Sequence, residues 1–226
     1  MLAFSRHKQS SPAILSDDFP PESPVTVEYK DKLVKVSIAR FLVPEIPLAI
    51  YYPQGIHPDD SGSRYLIENP TIAAEYLGAL GEVGDSVTPE SYPYTVFFWG
   101  HAFPYGIVSF SCSRGTTTTA DFEEFILQGI ELFGAIEILD EYTDPEELQY
   151  SWTKKIYLLS TNAGDALFSK RNIYFGEIAG SAFCFDVSGL LSSSLEESDR
   201  LLQQFAPIAD IILSNLRLRS IEARMR

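Results

Sequence analysis

The sequence predicts an α+β fold: a curved antiparallel sheet flanked by helices, with a strand-rich N-terminal extension. Three observations predict it. Short runs of alternating apolar residues are separated by turns rich in Gly, Pro and Asn, which is typical of antiparallel strands. Two stretches, near residues 118–133 and 194–216, carry apolar residues at helical spacing behind capping residues. With 226 residues, 45% of them hydrophobic, the chain can bury a sizeable core without metals or disulfides.

The N-terminal part is predicted to be rich in strands and interrupted by proline. Residues 1–24 form a flexible arm in this interpretation, because Ser, Pro and acidic residues follow a short basic start. Strands are predicted at 25–29 and 33–39, which Lys30 and Asp31 join as a hairpin, and at 48–52 between prolines.

A loop is predicted at 54–63, a short helix at 72–80 and a second loop at 84–93, from their Gly, Pro and Asp content and the apolar run between them. Residues 25–92 together form the predicted extension or subdomain. Whether this extension is a separate domain stays open.

The sequence patterns that predict secondary structure become clearer after residue 93. Strands are predicted at 95–99 and 105–113, and a helix follows, in which Thr118 and Asp121 approximate a capping box. Gly134 is placed to end that helix. Its apolar stripe, suited to packing on a sheet, consists of Phe122, Phe125, Ile126, Gly129, Ile130 and Phe133.

The remaining elements alternate strand and turn before a last helix. Their predicted order is a strand at 135–142, an acidic turn at 143–147, a strand at 150–160, a hairpin of 166–178 with 181–187, and a helix ending near 216. Ser194 and Glu197 form a second capping box, and Pro207 is expected to kink this helix or to start another. Residues 93–219 are the predicted main domain, and 220–226 are a basic tail.

Three stretches carry a family resemblance: FSCSRGTTTTADFEEFILQGIELFGAIEILDEY, KRNIYFGEIAGSAFCFDVSG and FAPIADIILSNLRL. Over residues 94–219 the order of the elements and their general sequence pattern resemble those of the PsbP/DcrB-like superfamily, which includes a Ran-binding nuclear import factor. The resemblance implies a curved antiparallel sheet with helices on its faces. It also implies a binding role, since family members are mostly adaptors, chaperones or extrinsic subunits, and one branch holds hydrophobic segments of secreted effectors. The N-terminal portion and the lack of an export signal depart from the family pattern and speak against a thylakoid-lumen or lipoprotein role.

Charge is distributed unevenly. The formal net charge is −14, and residues 61–150 contain 15 of the 31 acids but only 2 of the 17 bases. Such a surface selects cationic partners and disfavours nucleic acid. Added solubility is the plain alternative, and acids in the first helical turn also complement the helix dipole. The stretch 115–150 has no Lys or Arg and ten carboxylates: Asp121, Glu123, Glu124, Glu131, Glu137, Asp140, Glu141, Asp144, Glu146 and Glu147.

Residues with catalytic or metal-binding chemistry are few. Cys112 and Cys184 lie in alternating apolar runs and are expected to be buried reduced thiols, although spacing cannot say whether they are neighbours. His7, His57 and His101 share no metal-ligand spacing, so we expect no metal and no cofactor. His101, in an aromatic-rich segment, is the best candidate for an enzyme site, but a turn histidine packed on aromatics is favoured.

The sequence therefore predicts a non-enzymatic protein-binding module, an adaptor or chaperone, for example for a secreted effector. Its acidic docking face would hold a basic or amphipathic protein. Alternatives are an immunity-type inhibitor of a basic toxin, a structural subunit of a larger assembly, and an enzyme with a site near His101. We expect a cytoplasmic protein with no membrane span, and homo- and hetero-oligomers stay open. The predicted partner-binding residues are Trp99, Glu137, Asp140, Glu141, Tyr142, Asp144, Glu146 and Glu147.

Overall fold

The structure is a computed structural model that describes residues 24–29, 32–43, 48–79, 92–100, 106–114, 117–143, 152–161, 166–178, 180–214 and 216–218. Its elements in chain order are β1 (Pro24–Tyr29), β2 (Lys32–Leu42), β3 (Leu48–Pro53), β4 (Ile56–Asp59), α1 (Ser61–Glu68), α2 (Pro70–Ala79), β5 (Tyr94–Gly100), β6 (Gly106–Cys112), α3 (Thr119–Glu131), β7 (Ala135–Thr143), β8 (Trp152–Ser160), β9 (Phe168–Ile178), β10 (Ser181–Gly189), α4 (Leu195–Ser214) and β11 (Arg217–Leu218).

The chain divides into two compact units. The first unit comprises residues 1–56, 146–149 and 207–226. Its described strands form a sheet in the order β1-β2-β3-β11. The pairings are antiparallel, and β1 and β2 form the predicted hairpin. Every residue of β3 is buried, which agrees with its uninterrupted apolar sequence.

The second unit comprises residues 57–145 and 150–206 and holds the candidate sites. Seven described strands form an open sheet in the order β4-β5-β6-β10-β9-β8-β7. Each neighbouring pair in the series β5-β6-β10-β9-β8-β7 is antiparallel, which confirms the predicted α+β class. The long hairpin of β9 and β10 turns at Gly180, where a φ of 80° favours glycine, as the sequence predicts.

Helix α3 covers one face of this sheet. It is capped as predicted, since the Thr118 side chain accepts a hydrogen bond of 3.1 Å from the Asp121 N–H. Its stripe packs Phe122 and Ile130 into a core cluster with sheet residues. The sheet side of that cluster consists of Tyr157, Leu159, Ile173, Phe175, Ala182 and Cys184.

The first part of α4 packs on the opposite face. Ser194 caps it by accepting a hydrogen bond of 3.1 Å from the Glu197 N–H, as predicted. A Cβ atom added to Gly106 would collide with the Phe205 ring, so glycine is needed there for the helix to approach the strand. The helix continues through Pro207 to Ser214, so of the two alternatives expected there, a kink or a second helix, the second helix is wrong.

The predicted loop at 54–63 is also wrong, because the structure forms β4 there and begins α1 at Ser61. His57, Pro58 and Asp59 resemble a turn, yet β4 is an edge strand, where proline costs no ladder hydrogen bond. The two-residue strand β11 was likewise not predicted; the chain pairs there with β3 instead of continuing the last helix.

Candidate functional site

Strand β7 lies at the edge of the seven-stranded sheet and is exposed along its length. Eight of its nine residues are solvent-exposed, and Ile136 is half-buried. Ile138, Leu139 and Tyr142 are 55%, 45% and 49% exposed. Folding normally covers at least one face of a strand, so a strand open on both faces is unusual. We call the segment Glu137–Tyr142 the acidic edge.

The acidic edge presents carboxylates on both faces of the sheet. Pairing sets Glu137 opposite Leu158 and Glu141 opposite Lys155, with a register shift between Ile138 and Asp140 that marks a bulge at Leu139. Asp140 accepts a hydrogen bond of 2.9 Å from the Glu141 N–H and another from the Tyr142 hydroxyl. The pKa of Tyr142 is therefore raised by its bond to Asp140.

One lysine partly offsets this charge. The Lys155 ammonium lies 2.5 Å from a carboxylate oxygen of Glu123 on α3 and 3.8 Å from one of Glu141. The Tyr157 hydroxyl donates to the same Glu123 oxygen at 3.1 Å. Burial, together with the Glu123 charge, raises the pKa of Tyr157, so this hydroxyl stays protonated. Among the described residues, Glu137 and Asp140 take no part in an ion pair.

The predicted partner-binding residues do not all come together. Glu137, Asp140, Glu141 and Tyr142 lie on β7, whereas Trp99 lies on β5, with four strands between. At about 4.8 Å per strand, that separation is on the order of 24 Å. Asp144, Glu146, Glu147 and His101 lie outside the described residues. Their binding or catalytic roles stay predictions.

Both cysteines are free and buried, as predicted. Their strands are neighbours, but Cys184 pairs opposite Ser111 and Cys112 opposite Phe183, so the two thiols face opposite sides of the sheet. Burial raises the pKa of each thiol far above its ordinary value. Neither is therefore a nucleophile near neutral pH, because the thiolate is the reactive form.

A cavity of about 830 Å³ lies in the second unit on the α3 face of the sheet. It was not predicted from the sequence. Its walls come from Tyr92, Phe125, Ile126 and other apolar residues, including Phe97 and Phe133, which are 40% and 69% exposed. Trp99 stacks on Phe97 at a ring distance of 6.0 Å, so it lies beside the cavity and not beside the acidic edge.

The floor of this cavity is polar. Its sheet residues are small and mostly hydroxylic, together with one buried ion pair in which the Arg171 guanidinium donates twice to the Asp186 carboxylate. The two side chains are only 11% and 8% exposed. The hydroxyl-bearing floor residues are Thr95, Ser109, Ser111, Ser169 and Ser188.

The sequence pattern of these floor residues predicts a solvent-exposed strand face and not a cavity. Ser109 and Ser111 alternate with Val108 and Phe110, a pattern that normally marks a solvent-facing strand side. Here α3 covers that side instead. Apolar walls with a few converging polar groups, in a volume of this size, are typical of small-molecule sites.

Within the described ranges, no group of three or more His, Cys, Asp and Glu side chains is arranged to hold a metal ion. The same part of the chain contains no helix that is both long and apolar enough to cross a bilayer.

Similarity to solved structures is confined to the fold. No protein-family model and no curated protein sequence matches the chain. Cyanobacterial PsbP (CyanoP) from Synechocystis sp. PCC 6803 is 13% identical, with 81% of this chain and 93% of that chain covered and a TM-score of 0.43. The Ran-binding protein Mog1p of Saccharomyces cerevisiae is 8% identical, with coverages of 83% and 98% and a TM-score of 0.48.

LpqN of Mycobacterium tuberculosis, a protein involved in cell envelope biogenesis, is 12% identical, with coverages of 90% and 88% and a TM-score of 0.31. PsbP and Mog1p are thus among the solved structures to which this chain is similar. At these identities and scores the similarity is a likeness of fold, from which no activity or partner follows.

Proposed function

We propose that this protein is a non-enzymatic protein-binding module, an adaptor or chaperone, that holds a basic or amphipathic protein segment along the acidic edge. The observation that carries the proposal is the exposure of β7 on both of its faces at one margin of the sheet. Among the described residues, no strand pairs with its outer side. An extended segment can add to such an edge through backbone hydrogen bonds, while its side chains meet those of the edge strand.

The side chains of the acidic edge favour one kind of segment. Glu137 and Asp140 attract Lys or Arg, and Ile138, Leu139 and Tyr142 offer apolar contact between the charges. An alternating basic and apolar strand satisfies both requirements, because opposite charges and apolar pairs across neighbouring strands stabilise a sheet. The excess of negative charge in the surrounding sequence would also speed the encounter with a cationic partner.

The absence of catalytic machinery is part of the proposal. The cavity contains Cys184 and the Arg171–Asp186 pair, but the thiol is held protonated by burial, and the arginine already binds its carboxylate. A covalent mechanism needs an activated nucleophile beside a free base. Those of the described residues that line the cavity supply neither.

The test is fluorescence anisotropy with a labelled peptide of alternating Lys and Val, equal in length to β7. We expect the double substitution Glu137→Lys/Asp140→Lys to weaken peptide binding about tenfold at low salt, because two attractive contacts become repulsive. The wild-type affinity should fall as NaCl rises from about 50 mM to about 500 mM, because salt screens exposed charges.

The matched control is Glu68→Lys/Glu75→Lys, which changes the net charge equally at exposed positions on α1 and α2. If the control weakens the peptide as much as the β7 variant does, the effect is one of net charge and the acidic edge is not the binding strand. A second variant, Ile138→Ser/Leu139→Ser, should weaken binding several-fold even at high salt, because it removes apolar contacts that salt does not screen.

A further inference from the structure

The cavity on the α3 face contains an orphaned polar group that points to a ligand. Ser188 is 1% exposed, and its Oγ atom has no hydrogen-bond partner among the described residues. Buried hydroxyls are normally paired, because leaving one unpaired costs stability. Ser188 lines the cavity, so the missing partner can come from a molecule inside it.

The other hydroxyls of the floor are largely satisfied by the protein. Thr95 and Ser111 share a hydrogen bond of 2.8 Å, and Ser169 donates to the Gly189 carbonyl at 2.8 Å. The position of the free group is therefore defined: Ser188 lies on β10, paired opposite Ile107 on β6 and Arg171 on β9. A ligand head at this point would lie over the middle of the sheet.

The charge of the floor selects the head group. Arg171 and Asp186 neutralise each other, and burial raises the pKa of the Cys184 thiol, which stays uncharged. A charged head would enter a largely apolar space without a free counter-charge, which is strongly unfavourable. A neutral hydroxyl, carbonyl or amide would lose little hydration free energy on entering the cavity and could form a hydrogen bond with Ser188.

The cavity walls determine what kind of body a ligand must have beyond its head group. They are formed by aromatic and aliphatic side chains, and four of these are exposed at 40% or more: Phe97, Phe133, Leu190 and Leu191. Such residues leave an apolar margin open to solvent. We propose that this cavity binds a neutral amphiphile, a small molecule with an aliphatic or aromatic body and one uncharged hydrogen-bonding head that pairs with Ser188.

The chain offers a substitution that blocks the cavity without disturbing the fold. Gly129 lies on α3 and lines the cavity, and a Cβ atom added there would meet no heavy atom within 4 Å. Gly129→Leu should therefore project into the cavity while strengthening the helix, because glycine is a poor helix former. Gly78→Leu is the matched control: Gly78 also lies on a helix with open space at its Cβ position, but it does not line the cavity.

The first measurement is fluorescence of N-phenyl-1-naphthylamine, an uncharged probe that brightens in apolar sites. We expect the wild type and Gly78→Leu to bind the probe, and Gly129→Leu to lose at least about tenfold in affinity, since the side chain occupies the space. Thermal melting of both variants should match or exceed that of the wild type. An absence of probe binding by the wild type, or equal binding by Gly129→Leu, would overturn the proposal.

The second measurement identifies the head group by competition among ligands of one chain length: dodecan-1-ol, dodecanoate and dodecyltrimethylammonium. Dodecan-1-ol should displace the probe best. Ser188→Ala should weaken dodecan-1-ol about fivefold, the value of one hydrogen bond, and leave the probe affinity nearly unchanged. Stronger displacement by either charged ligand, or an equal loss of probe and alcohol in Ser188→Ala, would contradict the assignment.

These results are independent of the proposed protein-binding function. The charge reversals on β7 should not change binding of the probe, and Gly129→Leu should not change binding of the basic peptide. If Gly129→Leu blocks the peptide and no amphiphile binds, the cavity belongs to the protein-binding surface and the small-molecule proposal fails.

Discussion

The face of the sheet beneath α3 has a closed half and an open half, and the two differ in the size of their side chains. In the closed half, large residues such as Phe122, Tyr157 and Phe175 fill the space between helix and sheet. In the open half, Ser109 and Ser111 line a cavity of about 830 Å³ together with Phe125 and Gly129 of the same helix. The helix and strands are continuous across both halves.

The cavity therefore results from residue volume and not from a change of fold. Cores pack to nearly crystalline density when side chains can fill the space. Serine at adjacent floor positions and glycine at position 129 prevent that here. Substitutions that alter volume in one half should therefore act differently from the same kind of change in the other half.

The largest expected contrast is between two phenylalanines of the α3 region. Phe122 is 1% exposed in the closed half, and Phe122→Ala should lower the free energy of unfolding by about 3–5 kcal/mol. Phe133 is 69% exposed at the open half, and Phe133→Ala should cost less than about 1 kcal/mol. Urea denaturation measures both.

If Phe122→Ala does not fold, Phe122→Leu gives a smaller loss that is still measurable. Equal losses for the Phe122 and Phe133 variants would contradict the division into two halves.

The next contrast concerns pH. Burial raises the pKa of the Cys112 and Cys184 thiols above an ordinary value of 9.0, so the folded state keeps protons that the unfolded chain releases. Stability is then fully present below about pH 9 and falls as the pH rises further, by roughly 1.4 kcal/mol per pH unit for each thiol. Tyr94 and Tyr157, with raised pKa values, add to the fall above about pH 10.

Single substitutions to Ala separate the two cysteines, because Cys184 lines the cavity and Cys112 lies on the other face. Each variant should show a shallower loss of stability between pH 9 and pH 10, measured by denaturation at fixed temperature. A change with Cys112→Ala alone would mean that water reaches Cys184 through the open half.

The smallest expected contrast is between two stability changes of opposite sign. Ser109→Val adds bulk where there is space and replaces a hydroxyl with a strand-favouring side chain, so it should raise stability by up to about 1 kcal/mol. Ala182→Val adds bulk to the filled core cluster and should lower stability by about 1–3 kcal/mol. Thermal melting of the two variants distinguishes them, and two changes of the same sign would contradict the comparison.

Much of this architecture follows from local sequence signals. The cap of α3 at Thr118, the cap of α4 at Ser194 and the hairpin at Gly180 all lie where the sequence predicts them. Each depends on chemistry within a few residues, such as a side-chain oxygen beside free N–H groups or a glycine at positive φ. At these three positions the local pattern is sufficient to predict the structure.

The cavity and the edge strand depend on distant partners, which a local pattern does not report. The alternation around Ser109 indicates a polar face, but only the tertiary position of α3 makes that face an interior wall. In β4, His57 and Pro58 predict a turn, and the pairing with β5 overrides that preference. The acidic residues of β7 could be identified from the composition of the sequence. Their distance from Trp99 follows only from the order of the strands in the sheet.

The charges of β7 also bear on self-association. An open edge strand can pair with the same strand of another copy, which is how many proteins begin to aggregate. Antiparallel pairing of two copies centred on Leu139 would set Glu137 of one against Glu141 of the other, twice, and like charges directly opposite each other destabilise a sheet. The carboxylates of β7 thus disfavour pairing between like copies at the same edge that would accept a basic strand.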